Sequence, residues 1–138
     1  MSVRLACAAI LLASPAAAAE PGIWKACRID TVSVCGVAGC SARKPAISIF
    51  VSDYIDRGIE RAAYYRCGVR LSNCDRYPAL AYRTGDYLVF SLPQRSVFAK
   101  LGTDDRITDV AALGDDVLVS RGTCTTAVPP PAAALRSQ

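Results

Sequence analysis

The sequence predicts an all-β domain: a small antiparallel meander closed into a barrel or folded sandwich and stapled by disulfides. Three observations predict it. Short apolar runs with period-two alternation recur about every 8 to 12 residues, separated by tight-turn residues. Seven cysteines are present, six of them beyond residue 19. There is no histidine.

The N-terminus reads as a signal peptide over residues 1–19. Arg4 gives a positive start, and Leu5 to Ala13 is an apolar run broken at Ser14-Pro15. Ala17-Ala18-Ala19 supplies the small-x-small cleavage pattern, with Glu20 as the expected new terminus. That run is shorter than the roughly 20 residues that span a bilayer, so no membrane span is expected. Cys7 lies inside the leader ahead of most of the apolar run, the reverse of a lipid-attachment signal. The expected location is the periplasm or the outside of the cell.

Residues 20–124 are expected to form the β domain. Ile47 to Val51 alternates, and its phase continues to Ile55. Asp56-Arg57-Gly58 is turn chemistry, and Ile59 to Cys67 is a second run. Tyr77 to Arg83, Tyr87 to Leu92, Val97 to Leu101, Ile107 to Ala112 and Asp116 to Arg121 follow as strands. The turns between them are Thr84-Gly85-Asp86, Pro93-Gln94, Gly102 to Asp105 and Leu113 to Asp115. Closure is favoured because an open meander of this length leaves long unpaired edges. Asp30 to Lys44 reads as an irregular loop pinned by cysteines. Thr125 to Gln138, rich in Pro and Ala, reads as a disordered tail.

Six cysteines behind a leader imply a disulfide framework. They allow 15 pairings, and topology favours one. First and last strands meet on closure, which brings Cys27 to Cys124. Cys67 and Cys74 bracket a short connection, and Cys35 and Cys40 bracket the irregular loop. A zinc site is disfavoured, because the C-x4-C and C-x6-C spacings do not form paired C-x₂₋₄-C knuckles. No metal or cofactor is expected.

The absence of histidine removes the usual general base. Lys25, Lys44 and Lys100 stand in no motif with a serine. Asp104-Asp105 and Asp115-Asp116 sit in turns, where aspartate caps backbone. A non-enzyme is therefore expected. The net charge of +4 is small and mixed in sign along the chain, which argues against nucleic acid. Tyr64, Tyr65, Arg66, Arg70, Arg76, Tyr77, Tyr82 and Arg83 crowd one stretch. These residue types are enriched at binding hot spots, but they also fill barrel interiors and rims.

Trp24 with Cys27, then Tyr65-Arg66-Cys67, then Gly122-Thr123-Cys124 resembles the layout of small exported cysteine-containing bacterial proteins of unknown function. A looser similarity is to the periplasmic inhibitors of c-type lysozyme, small barrels that use a serine-glycine-x-x-tyrosine loop and a lysine-glycine loop. Here Thr84-Gly85-Asp86-Tyr87 is one residue shorter and lacks the serine, and Arg121-Gly122 replaces the lysine. That likeness implies partner binding by Thr84, Gly85, Asp86, Tyr87 and Arg121 on loops at one end.

The expected role is thus a monomeric, exported, non-enzymatic binding or inhibitor-like module for a protein, a sugar or an anionic ligand. The alternative is a carrier of a small apolar ligand in a barrel cavity lined by Leu88, Phe90, Val97, Ala99 and Leu101. A purely structural envelope protein is the third reading.

Overall fold

A computed structural model describes residues 22–52, 61–69 and 73–128. Nine strands follow in chain order: β1 Trp24–Gly36, β2 Gly39–Arg43, β3 Ile47–Ser52, β4 Arg61–Gly68, β5 Asp75–Thr84, β6 Tyr87–Leu92, β7 Val97–Gly102, β8 Arg106–Leu113 and β9 Asp116–Ala127. All pairings are antiparallel. Eight strands close into a barrel in the order β1-β3-β4-β5-β6-β7-β8-β9, with β9 returning to β1, and β2 adds outside on β1. No helix of the described residues is long and apolar enough to cross a membrane.

The hairpins follow the local chemistry. Gly85 and Gly114 take left-handed φ values of 53° and 62° in their turns, a conformation glycine adopts without a Cβ penalty. Between β6 and β7, Pro93–Arg95 makes one 3-10 turn, ended by Ser96 in the left-handed region. The expected turn at Asp56-Arg57-Gly58 lies outside the described residues.

Two expectations are corrected. Asp30 to Lys44 is not an irregular loop: it is the end of β1 and the whole of β2, paired from Val32↔Arg43 to Gly36↔Gly39. Its small and polar residues hide the alternation, because every residue of β2 is exposed. The tail does not begin at Thr125. Thr125, Thr126 and Ala127 pair with Ala26, Lys25 and Trp24. The rest of the expected tail, 129–138, lies outside the described residues.

Alternate side chains fill the barrel. Cys27, Ile29 and Val32 of β1 point inward, the phase being reset by an irregularity between Ile29 and Thr31. Ile49 and Val51, Ala79 and Ala81, Leu88, Phe90 and Leu92, Val97, Ala99 and Leu101, Ile107 and Ala111 join them in one buried cluster. A second buried cluster lies on the outer face of β1, β3 and β4, formed by Trp24, Phe50, Ala63, Tyr65, Cys67 and Cys74. The Trp24 and Tyr65 rings meet there at 5.7 Å.

The disulfides are Cys27–Cys124, Cys35–Cys40 and Cys67–Cys74. Cys27 and Cys124 are directly opposite in the β1–β9 ladder, so this bond locks the seam that closes the barrel. Three disulfides are consistent with an oxidising, extracytoplasmic environment.

The same seam depends on Gly122. A Cβ there would lie 2.0 Å from the Arg28 carbonyl oxygen and 2.9 Å from Ile29 Cα, both backbone atoms. Backbone cannot swing aside as a side chain can. Gly122→Ala is therefore expected to cost about 3 kcal/mol, the upper end of ordinary overpacking. Urea unfolding checks this; a loss under about 0.5 kcal/mol would show that the seam has slack.

Candidate functional site

Four places in the barrel carry chemistry: a polar lock inside, two rims, and one outer wall.

The lock is Tyr64, Arg66 and Asp109. Asp109 occupies the inward phase of β8 between Ile107 and Ala111, and its side chain is fully buried. Tyr64 Oη donates to Asp109 Oδ2 at 2.6 Å, and Arg66 Nη2 donates to Asp109 Oδ1 at 2.5 Å. Asp109 faces Ala99 on β7 and Ser120 on β9 in the ladder. Those small residues leave room for the long side chains that arrive from β4. Burial pushes the Tyr64 hydroxyl well above its ordinary pKa, and the neighbouring Asp109 carboxylate adds to the rise. For Arg66, burial opposes the charge, but the hydrogen bond and attraction of Asp109 outweigh it and raise the pKa. The lock is thus a neutral phenol and an ion pair. Among the described residues, Arg66 Nε and Ser120 Oγ are buried and find no hydrogen-bond partner.

The first rim carries the β5–β6 and β7–β8 turns. A pocket of about 260 Å³ opens there, lined in part by Lys25, Arg83, Asp86, Leu88, Leu101 and Asp105. Lys25 Nζ binds Asp105 Oδ1 at 2.8 Å, so this mouth is bridged by an ion pair. The second rim carries the β6–β7 and β8–β9 turns. Its pocket, about 170 Å³, is lined by Arg66, Tyr77, Leu92, Arg95, Val97, Ala111 and Leu113.

The expected partner-binding residues divide between the first rim and the wall. Thr84, Gly85 and Asp86 make the β5–β6 turn, where the Asp86 carbonyl accepts from Thr103 N–H at 3.0 Å. Tyr87 opens β6 and points outward. Arg121 is not on a loop: it lies mid-strand in β9, facing out between Thr31 and Thr108. The two are nonetheless on one face. Lys100 Nζ sits 4.7 Å over the Tyr87 ring. The ladder row Tyr82–Val89–Lys100–Thr108–Arg121 then crosses five strands. At about 4.8 Å per strand, Arg121 lies about 10 Å from Lys100 in that row.

This wall has further members that sequence reasoning did not assign to it. The next row runs Leu80–Ser91–Phe98–Val110–Val119. Leu80, Tyr82, Tyr87 and Phe98 are 44 to 49% exposed, well beyond what a core-facing residue shows. Among the described residues, the outward strand positions of β5 to β9 carry no carboxylate. Neither Lys100 nor Arg121 forms an ion pair with a described residue. The signal was present as outward-phase aromatics at Tyr82 and Phe98, but placing them beside Lys100 and Arg121 needs the strand register.

Of the Tyr/Arg stretch, Tyr64, Arg66, Tyr77 and Arg83 turn inward or to a rim, whereas Tyr65 and Tyr82 turn outward. Arg70 lies outside the described residues. All six described cysteines are in disulfides, so none offers a thiolate. Comparisons with family models, with curated proteins and with solved structures give no match.

Proposed function

We propose that this chain is an exported, non-enzymatic binding module that docks an acidic protein surface on the outer wall of β5 to β9. The observation that carries the reading is the row Tyr82–Val89–Lys100–Thr108–Arg121 with Tyr87 beside it. Half-exposed aromatics supply contact area at low conformational cost. Lys100 and Arg121, neither ion-paired with a described residue, supply positive charge, which steers and orients an acidic partner. The continuous antiparallel ladder from β5 to β9 holds these groups on one face without a partner. Export to the periplasm or beyond fits the disulfides and the N-terminal leader.

The carrier reading has less support. Leu88, Phe90, Val97, Ala99 and Leu101 pack against the opposite strands in one cluster, with the ion pair of the lock among them. Ligand pockets for drug-sized molecules run about 300–1,000 Å³ and are mostly apolar.

The test compares mature oxidised wild type with a Tyr87→Ala/Arg121→Ala variant in affinity capture from a periplasmic extract. Both residues are exposed, so the fold is expected to stand, as circular dichroism would verify. A captured acidic protein is expected to lose at least about 100-fold in affinity to the variant, since hot-spot truncations each cost about 2 kcal/mol or more. Its binding should also weaken as salt rises. Equal binding by wild type and variant would remove this wall from consideration.

A further inference from the structure

The second rim presents an arrangement that the docking wall does not use. Arg66 and Arg95 both line its pocket of about 170 Å³, and the other walls are Tyr77, Leu92, Val97, Ala111 and Leu113. A contiguous depression of about 80 Å³ adds Arg76, Pro78 and Gln94. The Arg95 guanidinium lies 5.4 Å over the Tyr77 ring, which fixes its direction, and it forms no ion pair with a described residue. Asp109 neutralises Arg66 from below, and its two oxygens are taken by Tyr64 and Arg66. Asp115 and Asp116 belong to the neighbouring turn, but neither lines the pocket, and Asp116 Oδ1 is placed against Gly36.

Around this rim Arg66, Arg76 and Arg95 stand against Asp109 and Asp75, the latter facing Arg66 in the β4–β5 ladder, which leaves one net positive charge beside the apolar side chains of the cup. Arg66 adds donors beyond the one spent on Asp109, because a guanidinium carries five N–H groups. Planar guanidinium edges match a carboxylate's two oxygens. One net positive charge suits a monoanion better than a phosphate dianion. The cup is smaller than drug-sized sites, so its occupant is small.

We propose that this rim is a binding site for a small monocarboxylate. The carboxylate lies between Arg95 and the outer edge of Arg66. Its short apolar body rests on Leu92, Val97, Ala111 and Leu113. The site is independent of the outer wall, and either assignment can fail alone.

Titration of the mature oxidised protein with hexanoate, hexan-1-ol and inorganic sulfate, followed by amide and methyl NMR shifts, tests the assignment. Hexanoate is expected to move the signals of Leu92, Val97, Ala111 and Leu113. It should bind at least about 10-fold more tightly than hexan-1-ol, the factor for about 1.4 kcal/mol of charge-assisted hydrogen bonding. Arg95→Ala, at an exposed turn position, should lower hexanoate affinity by about the same factor, with Arg95→Lys between the two. Hexan-1-ol binding as well as hexanoate, sulfate binding more tightly, shifts mapping elsewhere, no shift with hexanoate, or an unchanged affinity in Arg95→Ala would each overturn it.

Discussion

Asp109→Ala is expected to destabilise the barrel by about 3–5 kcal/mol, the usual result of removing one partner from a buried ion pair. The carboxylate accepts from both Tyr64 and Arg66 and is itself completely buried. Without it, the Arg66 charge stays largely buried with no counterion and the Tyr64 hydroxyl loses its acceptor. The midpoint of thermal unfolding should fall by more than about 10 °C for a domain of this size. The triple variant Tyr64→Phe/Arg66→Met/Asp109→Leu separates the cost of a broken lock from the worth of an intact one. Replacing a whole buried ionic cluster by apolar groups is often neutral or stabilising by about 1–4 kcal/mol. A single variant losing less than about 1 kcal/mol would mean that Arg66 escapes to water and that the lock is not closed. The lock also sets an alkaline limit. The folded Tyr64 pKa lies above the unfolded value of 10.0, so its contribution is whole below that pH. It declines as pH rises further, because the unfolded phenol ionises first.

Removing Cys27–Cys124 is expected to cost about 4–5 kcal/mol, the largest loss among the three disulfides. The bond joins residues 97 apart in sequence, against 5 for Cys35–Cys40 and 7 for Cys67–Cys74. In the chain-entropy account a bond constrains the unfolded chain more as its loop lengthens, and the short loops are worth about 2 kcal/mol each. The comparison is Cys27→Ala/Cys124→Ala against Cys35→Ala/Cys40→Ala in guanidinium unfolding. Equal losses would show that strain or residual structure, not loop length, sets the contribution. Cys35–Cys40 lies at the tip of the β1–β2 hairpin, at the far end of the β1–β9 ladder where Cys35 faces Val117, so its loss should loosen that end and leave the Cys27–Cys124 end of the seam intact.

The latter half of the fold was legible because its turns are short and chemically explicit. Gly85, Pro93 and Gly114 punctuate strands whose inward residues are large and apolar, so alternation and turn agree. Closure through Cys27 and Cys124 followed from the same reading. The β1–β2 hairpin was not legible for two reasons. Glycines and small polar residues on an exposed strand leave no apolar phase to read, and the irregularity after Ile29 resets the phase of β1. Thr125 to Ala127 was hidden by the proline-rich composition that follows it, whereas pairing to β1 was the decisive term.

The site was legible only in part. Tyr87 and Arg121 were singled out from short loop patterns, and the register places both on one wall, although Arg121 came from a strand rather than a loop. Asp109 carried a local signal, a carboxylate on the inward phase between Ile107 and Ala111. Its partners Tyr64 and Arg66 lie more than forty residues away. Such a cross-barrel contact is a property of register and closure, which no local window contains. Arg95 likewise reads as an ordinary turn residue until Tyr77 and Arg66 are seen beside it.

The most direct measurement is amide hydrogen exchange of the oxidised protein, free and saturated with its captured acidic partner. Protection gained along Tyr82, Val89, Lys100, Thr108 and Arg121, with the β1, β3 and β4 face unchanged, is the result expected of docking on this wall. Protection confined to the β1–β3–β4 face, or to the barrel interior and rims, would contradict it.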